Sequence, residues 1–154
     1  MTEQLVLPKF AVRVIGIHIP GNWDRPVGYD GHAHFVSVYW DCAGELPFIP
    51  DAVGSHWSGR VQVDVVAINW QTHDILLGEC KWGADWIDRQ VVRDLVGGKT
   101  PLLLNDLTDG GKGWKVHYAL FARSGFTPAA KTEMQQKAGL LVDLKALDNV
   151  LGRA

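Results

Sequence analysis

The sequence predicts an α/β fold, a mixed β-sheet flanked by helices, and three observations carry that reading. A β-branched run, VQVDVVAINW, is joined through the polar QTHD to the apolar ILLGECKW, the pattern of a hairpin. An amphipathic helix pattern follows in DWIDRQVVRDLVGG, and the sharply capped helix TPAAKTEMQQKAG lies between two apolar strand patterns, KVHYALFAR and LLVDL. From Val61 onward the order is strand, strand, helix, strand, helix, strand, helix, which suits a mixed sheet covered by helices.

Each element has its own signal. In the first helix Ile87, Val91 and Leu95 form one i, i+4 row and Val92 and Val96 another, with Asp85 placed as N-cap and Gly97 just past the end. KTPLLLNDLTDGGKG mixes a short apolar run with Gly and Asp breakers and reads as a short helical piece followed by a loop. Thr127 at the N-cap, Pro128 at the first helical position and Gly139 beyond the end mark the next helix. LLVDL is a short strand and KALDNVLGR a closing helix. Upstream, FAVRVIGIHI and HFVSVYWDC have strand character, and GNWDRPVGYDGHAH is loop-like.

The 154 residues suffice for one domain, divided here into a divergent N-terminal segment, 1–43, and a domain over 44–154. A formal charge of -2 excludes a global basic field, so nucleic acid would have to be held through a local patch. Cys42 and Cys80 do not suggest a disulfide framework. With no signal-peptide pattern and no membrane segment, a cytoplasmic location is expected.

The chemistry-bearing residues concentrate in the hairpin. Residues two apart on a strand share a face, so Glu79 and Lys81 are neighbours. Asp64 lies between Val63 and Val65, an acid where an ordinary sheet would place an aliphatic side chain. A hairpin folding about Gln71 and Thr72 sets Asp64 opposite Glu79, and two converging carboxylates suit a shared hard cation such as Mg²⁺. Lys81 could then orient water or stabilise charge on a phosphate. The competing interpretation is a plain salt bridge from Lys81 to Glu79 or Asp64.

The run from VDVVAINW through LLGECKW resembles the core of the PD-(D/E)xK, restriction-endonuclease-like superfamily. With GELPFIPDAVGSHWS ahead and YALFARSGFT and LLVDL behind, it is similar to the domain of unknown function found C-terminal to archaeal-type P-loop ATPases. The resemblance runs from about Gly44 to the end. It implies a restriction-endonuclease-like sheet core, Mg²⁺ (or Mn²⁺) held by Asp64 and Glu79, Lys81 as catalytic lysine, and phosphodiester hydrolysis. It also implies a supporting role for Gln90 in the following helix, against which stands a plain surface glutamine. Members of this superfamily usually bring a glutamate from an upstream helix; here the nearest acid is Asp41, and Gln62 stands where this branch often has Glu. No P-loop sequence, G-x-x-x-x-G-K-[ST], is present, so the ATPase is expected to be absent from this chain.

The expected function is therefore a Mg²⁺-dependent endonuclease-like domain acting on DNA, impaired if the missing glutamate is essential. The alternative is a non-catalytic nuclease-fold interaction domain that works with an archaeal-type ATPase. Two further features have economical explanations. His32 and His34 form an H-x-H pair that could bind Zn²⁺ with Asp41 or Cys42, but polar residues in a Gly-rich loop are the far more economical explanation, because no second pair of ligands sits at a standard spacing. Trp57, Trp70, Trp82, Trp86 and Trp114 could stack on bases, yet core or partner packing is the simpler role, as solvation is for Arg123 and Lys131.

Overall fold

The computed structural model describes residues 47–107 and 109–151. The expected upstream strands and loop, together with His32, His34, Asp41 and Cys42, lie outside the described residues.

Among the described residues, five strands form one sheet in sequential order: β1 (Ala52–Trp57), β2 (Gln62–Asn69), β3 (Asp74–Lys81), β4 (Lys115–Ala122) and β5 (Leu140–Asp143). The β1–β2 and β2–β3 pairs are antiparallel, whereas β3, β4 and β5 run parallel to one another. The parallel steps require crossovers, and helices supply them. α1 (Arg89–Arg93), a π-helical segment (Asp94–Lys99) and α2 (Thr100–Asn105) connect β3 to β4; α3 (Pro128–Gln136) connects β4 to β5, and α4 (Leu144–Leu151) follows. The mixed sheet with flanking helices is the α/β architecture expected, and β1 adds a strand that the patterning had not separated.

The sheet is apolar on both faces. One face packs Val66, Ile68, Ile75 and Leu77 against Val92, Leu95, Leu103 and Met134 of the helices. The other buries Val65, Ala67, Leu76, Ala119, Phe121 and Val142, with Phe48 against them. Burial on both sides explains why β2 and β3 read as nearly continuous apolar runs rather than strict alternations.

Two helix boundaries depart from expectation. The N-cap of α1 is Asp88, whose carboxylate accepts the N–H groups of Gln90 and Val91, and not Asp85. The residues before it are held extended: Ile87 N–H donates to Gly125 O, and Thr127 N–H to Ile87 O. That short parallel bridge between Ile87 and Phe126 delays the helix. Nor does Gly97 end it. Gly97 and Gly98 lie inside the π-helical segment, and Thr100 N–H bonds to Leu95 O, the i to i−5 pattern of a wide turn, before α2 continues the path.

The end of α3 departs in a smaller way. Ala138, at φ 50°, takes the left-handed position, while a Cβ on Gly139 would meet the flexible end of the Met134 side chain and require it to shift.

Candidate active site

The β2–β3 register runs from Asn69 opposite Asp74 to Val65 opposite Gly78, which centres the hairpin between Gln71 and Thr72. Past that last pair the ladder stops. Cys80 N–H, next in line to join it, instead donates to Asp64 Oδ2 at 2.9 Å. On the other side of β2 the pairing with β1 jumps from Gly54 opposite Val66 to His56 opposite Val63, so Asp64 and Val65 together face Ser55. This is a β-bulge, a device that re-aims a side chain and strengthens local twist. Asp64 thus sits where β2 departs from both neighbours, half-buried at the end of the sheet where β3 terminates.

Gly78 permits the close approach that precedes this opening. A Cβ there would stand 2.9 Å from Val65 Cβ and 3.2 Å from Phe121. One residue later, Glu79 is 5% exposed. Lys81 Nζ donates to Glu79 Oε1 at 2.9 Å, and Lys99 Nζ donates to Oε2 at 2.6 Å. A buried carboxylate is costly unless its charge is matched, and here each oxygen has its own ammonium. The Glu79 hydrogen bond raises the Lys81 pKa above its ordinary value, and the negative charges of Glu79 and Asp64 add to this. Glu79, Lys81 and Lys99 therefore make one hydrogen-bonded cluster near the carboxyl end of β3, with Asp64 close enough for its charge to act on Lys81, at the end where open α/β sheets generally place ligands.

Of the residues singled out in the sequence, Glu79 and Lys81 are bonded to each other, whereas Asp64, expected opposite Glu79, lies past the last registered β2–β3 pair and bonds the Cys80 amide instead. Gln90 is not among the groups bonded to them: its side chain donates to Asp94 Oδ1 at 2.8 Å on the exposed side of α1. Lys99 was missed. A lysine following two glycines carries no pattern, and only the π-helical turn, with its extra residue, sets the direction in which this position leaves the helix. Such turns often occur at functional sites. Among the described residues, no group of three or more His, Cys, Asp or Glu side chains is arranged to hold a metal.

The tryptophans divide. Trp70 and Trp114 make an edge-on pair with centroids 5.4 Å apart at the far end of the sheet, and His73 stacks on Trp114 at 5.1 Å. Trp82 and Trp86, just beyond Lys81, are 42% and 59% exposed.

A family model, DUF234, described as archaea bacterial proteins of unknown function, matches residues 35–93, less than half of the chain. That span contains Asp64, Glu79, Lys81 and Gln90 but not Lys99. Among solved structures, the crystal structure of a repair endonuclease from Pyrococcus abyssi matches with a TM-score of 0.43 and 15% identity, over 79% of this chain and 50% of that one. The chain thus spans about half the length of that protein. No curated protein matches. No helix among the described residues is long and apolar enough to cross a membrane.

Proposed function

We propose that the chain is a Mg²⁺-dependent DNA phosphodiesterase of the PD-(D/E)xK kind, with Asp64 and Glu79 as metal ligands and Lys81 as the catalytic lysine. The observation that carries this reading is the buried Glu79 carboxylate, held between two ammoniums next to the point where the β2–β3 ladder stops and Asp64 takes the Cys80 amide.

The donor set fits a hard divalent cation. Both ligands are carboxylates, Asp64 spends only Oδ2 on the Cys80 amide, and Glu79 Oε2 already faces a positive charge. Two protein carboxylates suffice for Mg²⁺, which keeps several waters and takes phosphate oxygens as its remaining ligands. Bound there, the ion would polarise a phosphodiester oxygen and lower the pKa of a coordinated water. Lys81, with its pKa raised, stays protonated at neutral pH, so it acts as a donor and a positive charge toward the phosphate and not as a base. The Cys80 amide fixes Asp64, and the buried setting of Glu79 limits competing water.

A second reading rests on the same geometry. Both Glu79 oxygens are already neutralised by lysines, so the cluster is also stable as a purely structural element. A non-catalytic domain that keeps the fold and docks to an archaeal-type ATPase would need no more.

The test is incubation of plasmid and single-stranded DNA with the chain in Mg²⁺ or Mn²⁺, beside Asp64→Ala and Lys81→Ala. Cleavage by the natural sequence alone is expected. Cleavage that survives either substitution overturns the assignment of roles, and none in any condition favours the docking domain.

A further inference from the structure

We propose that Lys99 is an internal counter-cation that occupies the divalent-metal position on Glu79 and leaves Glu79 Oε2 when the ion is bound. The inference rests on the reading of Asp64 and Glu79 as metal ligands and adds a residue to that site.

Three observations lead to it. First, Lys99 Nζ stands 2.6 Å from Glu79 Oε2, whereas Mg²⁺ would sit at about 2.0–2.1 Å from an oxygen ligand, so an ammonium and an ion cannot share that oxygen's outer side. Second, Glu79 Oε1 has its own lysine in Lys81, two residues along the same strand, and Lys99 therefore supplies the second positive charge beside a pair of carboxylates. Asp64 and Glu79 contribute two negative charges and Lys81 and Lys99 two positive ones, so a divalent ion arriving with Lys99 still in place would leave an excess of two positive charges, which falls to one when Lys99 withdraws. Third, the Lys99 side chain is 30% exposed, against 7% for that of Glu79, so its head can move to solvent without unfolding the helix.

The backbone anchors this movement. Thr100, next to Lys99, is fixed by its hydroxyl on Leu95 O at 2.7 Å and is buried. Only the four-carbon stem of Lys99 has to swing. The π-helical turn thus provides a fixed pivot, with Glu79 at one end of the arc and solvent at the other.

The experiment is calorimetric titration of Mn²⁺ into the full chain, into Lys99→Met and into Lys99→Gln, with Glu79→Gln to identify site-specific binding and far-UV circular dichroism to confirm folding. Removal of the competing charge should tighten Mn²⁺ binding on the order of tenfold in both Lys99 variants, and the difference should vanish in the Glu79→Gln background. A merely structural lysine would leave metal affinity unchanged or weaken it. Equal or weaker affinity in folded Lys99 variants overturns the proposal while leaving the metal site standing. Absence of Glu79-dependent binding in every protein overturns both.

Discussion

β3 carries one buried acid at its start and another near its end, and the two are held in opposite ways. Asp74, at the hairpin end, and Glu79, near the far end, are each 5% exposed. Asp74 belongs to a closed ladder, paired with Asn69 on one side and Lys115 on the other. Its carboxylate takes His117 Nε2 at 2.7 Å, with Lys115 Nζ more distant at 3.9 Å. The Thr72 hydroxyl and then the His117 imidazole hold the Asp74 pKa below the usual carboxylate value. Glu79 has no such local network. Its partners are two long lysines, one from its own strand and one from a helix twenty residues on, at a point where the ladder to β2 has opened. Short, rigid partners in a closed ladder satisfy an acid permanently, whereas flexible cations beside an open strand leave it exchangeable.

Substitutions can break this contrast. Glu79→Ala should have the largest effect, loss of any metal-dependent cleavage together with destabilisation of about 1–3 kcal/mol in urea titration. The stability cost stays below that of a fully buried ion pair, because the stranded lysines are 30% and 47% exposed and water can serve them. Gly78→Ala tests whether the site depends on close strand approach. Its Cβ would press on Val65, costing about 1–2 kcal/mol, and cleavage should fall while the His117–Asp74 pair is unaffected.

Asp74→Asn should cost about 1 kcal/mol at neutral pH and spare cleavage. The sign of its pH dependence follows from the lowered pKa. The Asp74 contribution is complete above the unfolded value of 3.8 and is lost as pH falls through the lower folded value, so the variant should show a flatter acid limb in melting temperature.

The smallest effect concerns His56, 1% exposed and bonded to Asp106 Oδ2 at 3.1 Å. Burial lowers its pKa below 6.5, with Asp106 opposing the shift. The unfolded chain then takes up the proton first, so stability should decline as pH falls through 6.5 toward the folded pKa and level off below it. His56→Gln should remove that step from a series of melts.

How much of this was visible in the sequence depended on how local the cause was. The hairpin, its register about Gln71 and Thr72, and the shared face of Glu79 and Lys81 follow from strand alternation, so they could be read directly. The cap at Asp88 could not, because the delay of α1 comes from hydrogen bonds to Gly125 and Thr127, far along the chain. The bulge that turns Asp64 is a property of its pairing with β1, a strand whose sequence, AVGSHW, contains Gly, Ser and His and shows little alternation. Lys99 required the most: a π-helical turn, a helix crossing the sheet and a carboxylate on β3, none of which leaves a mark at residue 99.

The central claim is that Glu79, unlike Asp74, serves an ion and a reaction. Its most direct test is a paired measurement of Mn²⁺ affinity and DNA cleavage in Glu79→Gln and Asp74→Asn, both neutral and nearly isosteric replacements. Glu79→Gln should lose Glu79-site Mn²⁺ binding and at least about a hundredfold in cleavage rate while remaining folded, and Asp74→Asn should retain both. Undiminished cleavage or metal binding in folded Glu79→Gln would contradict the account.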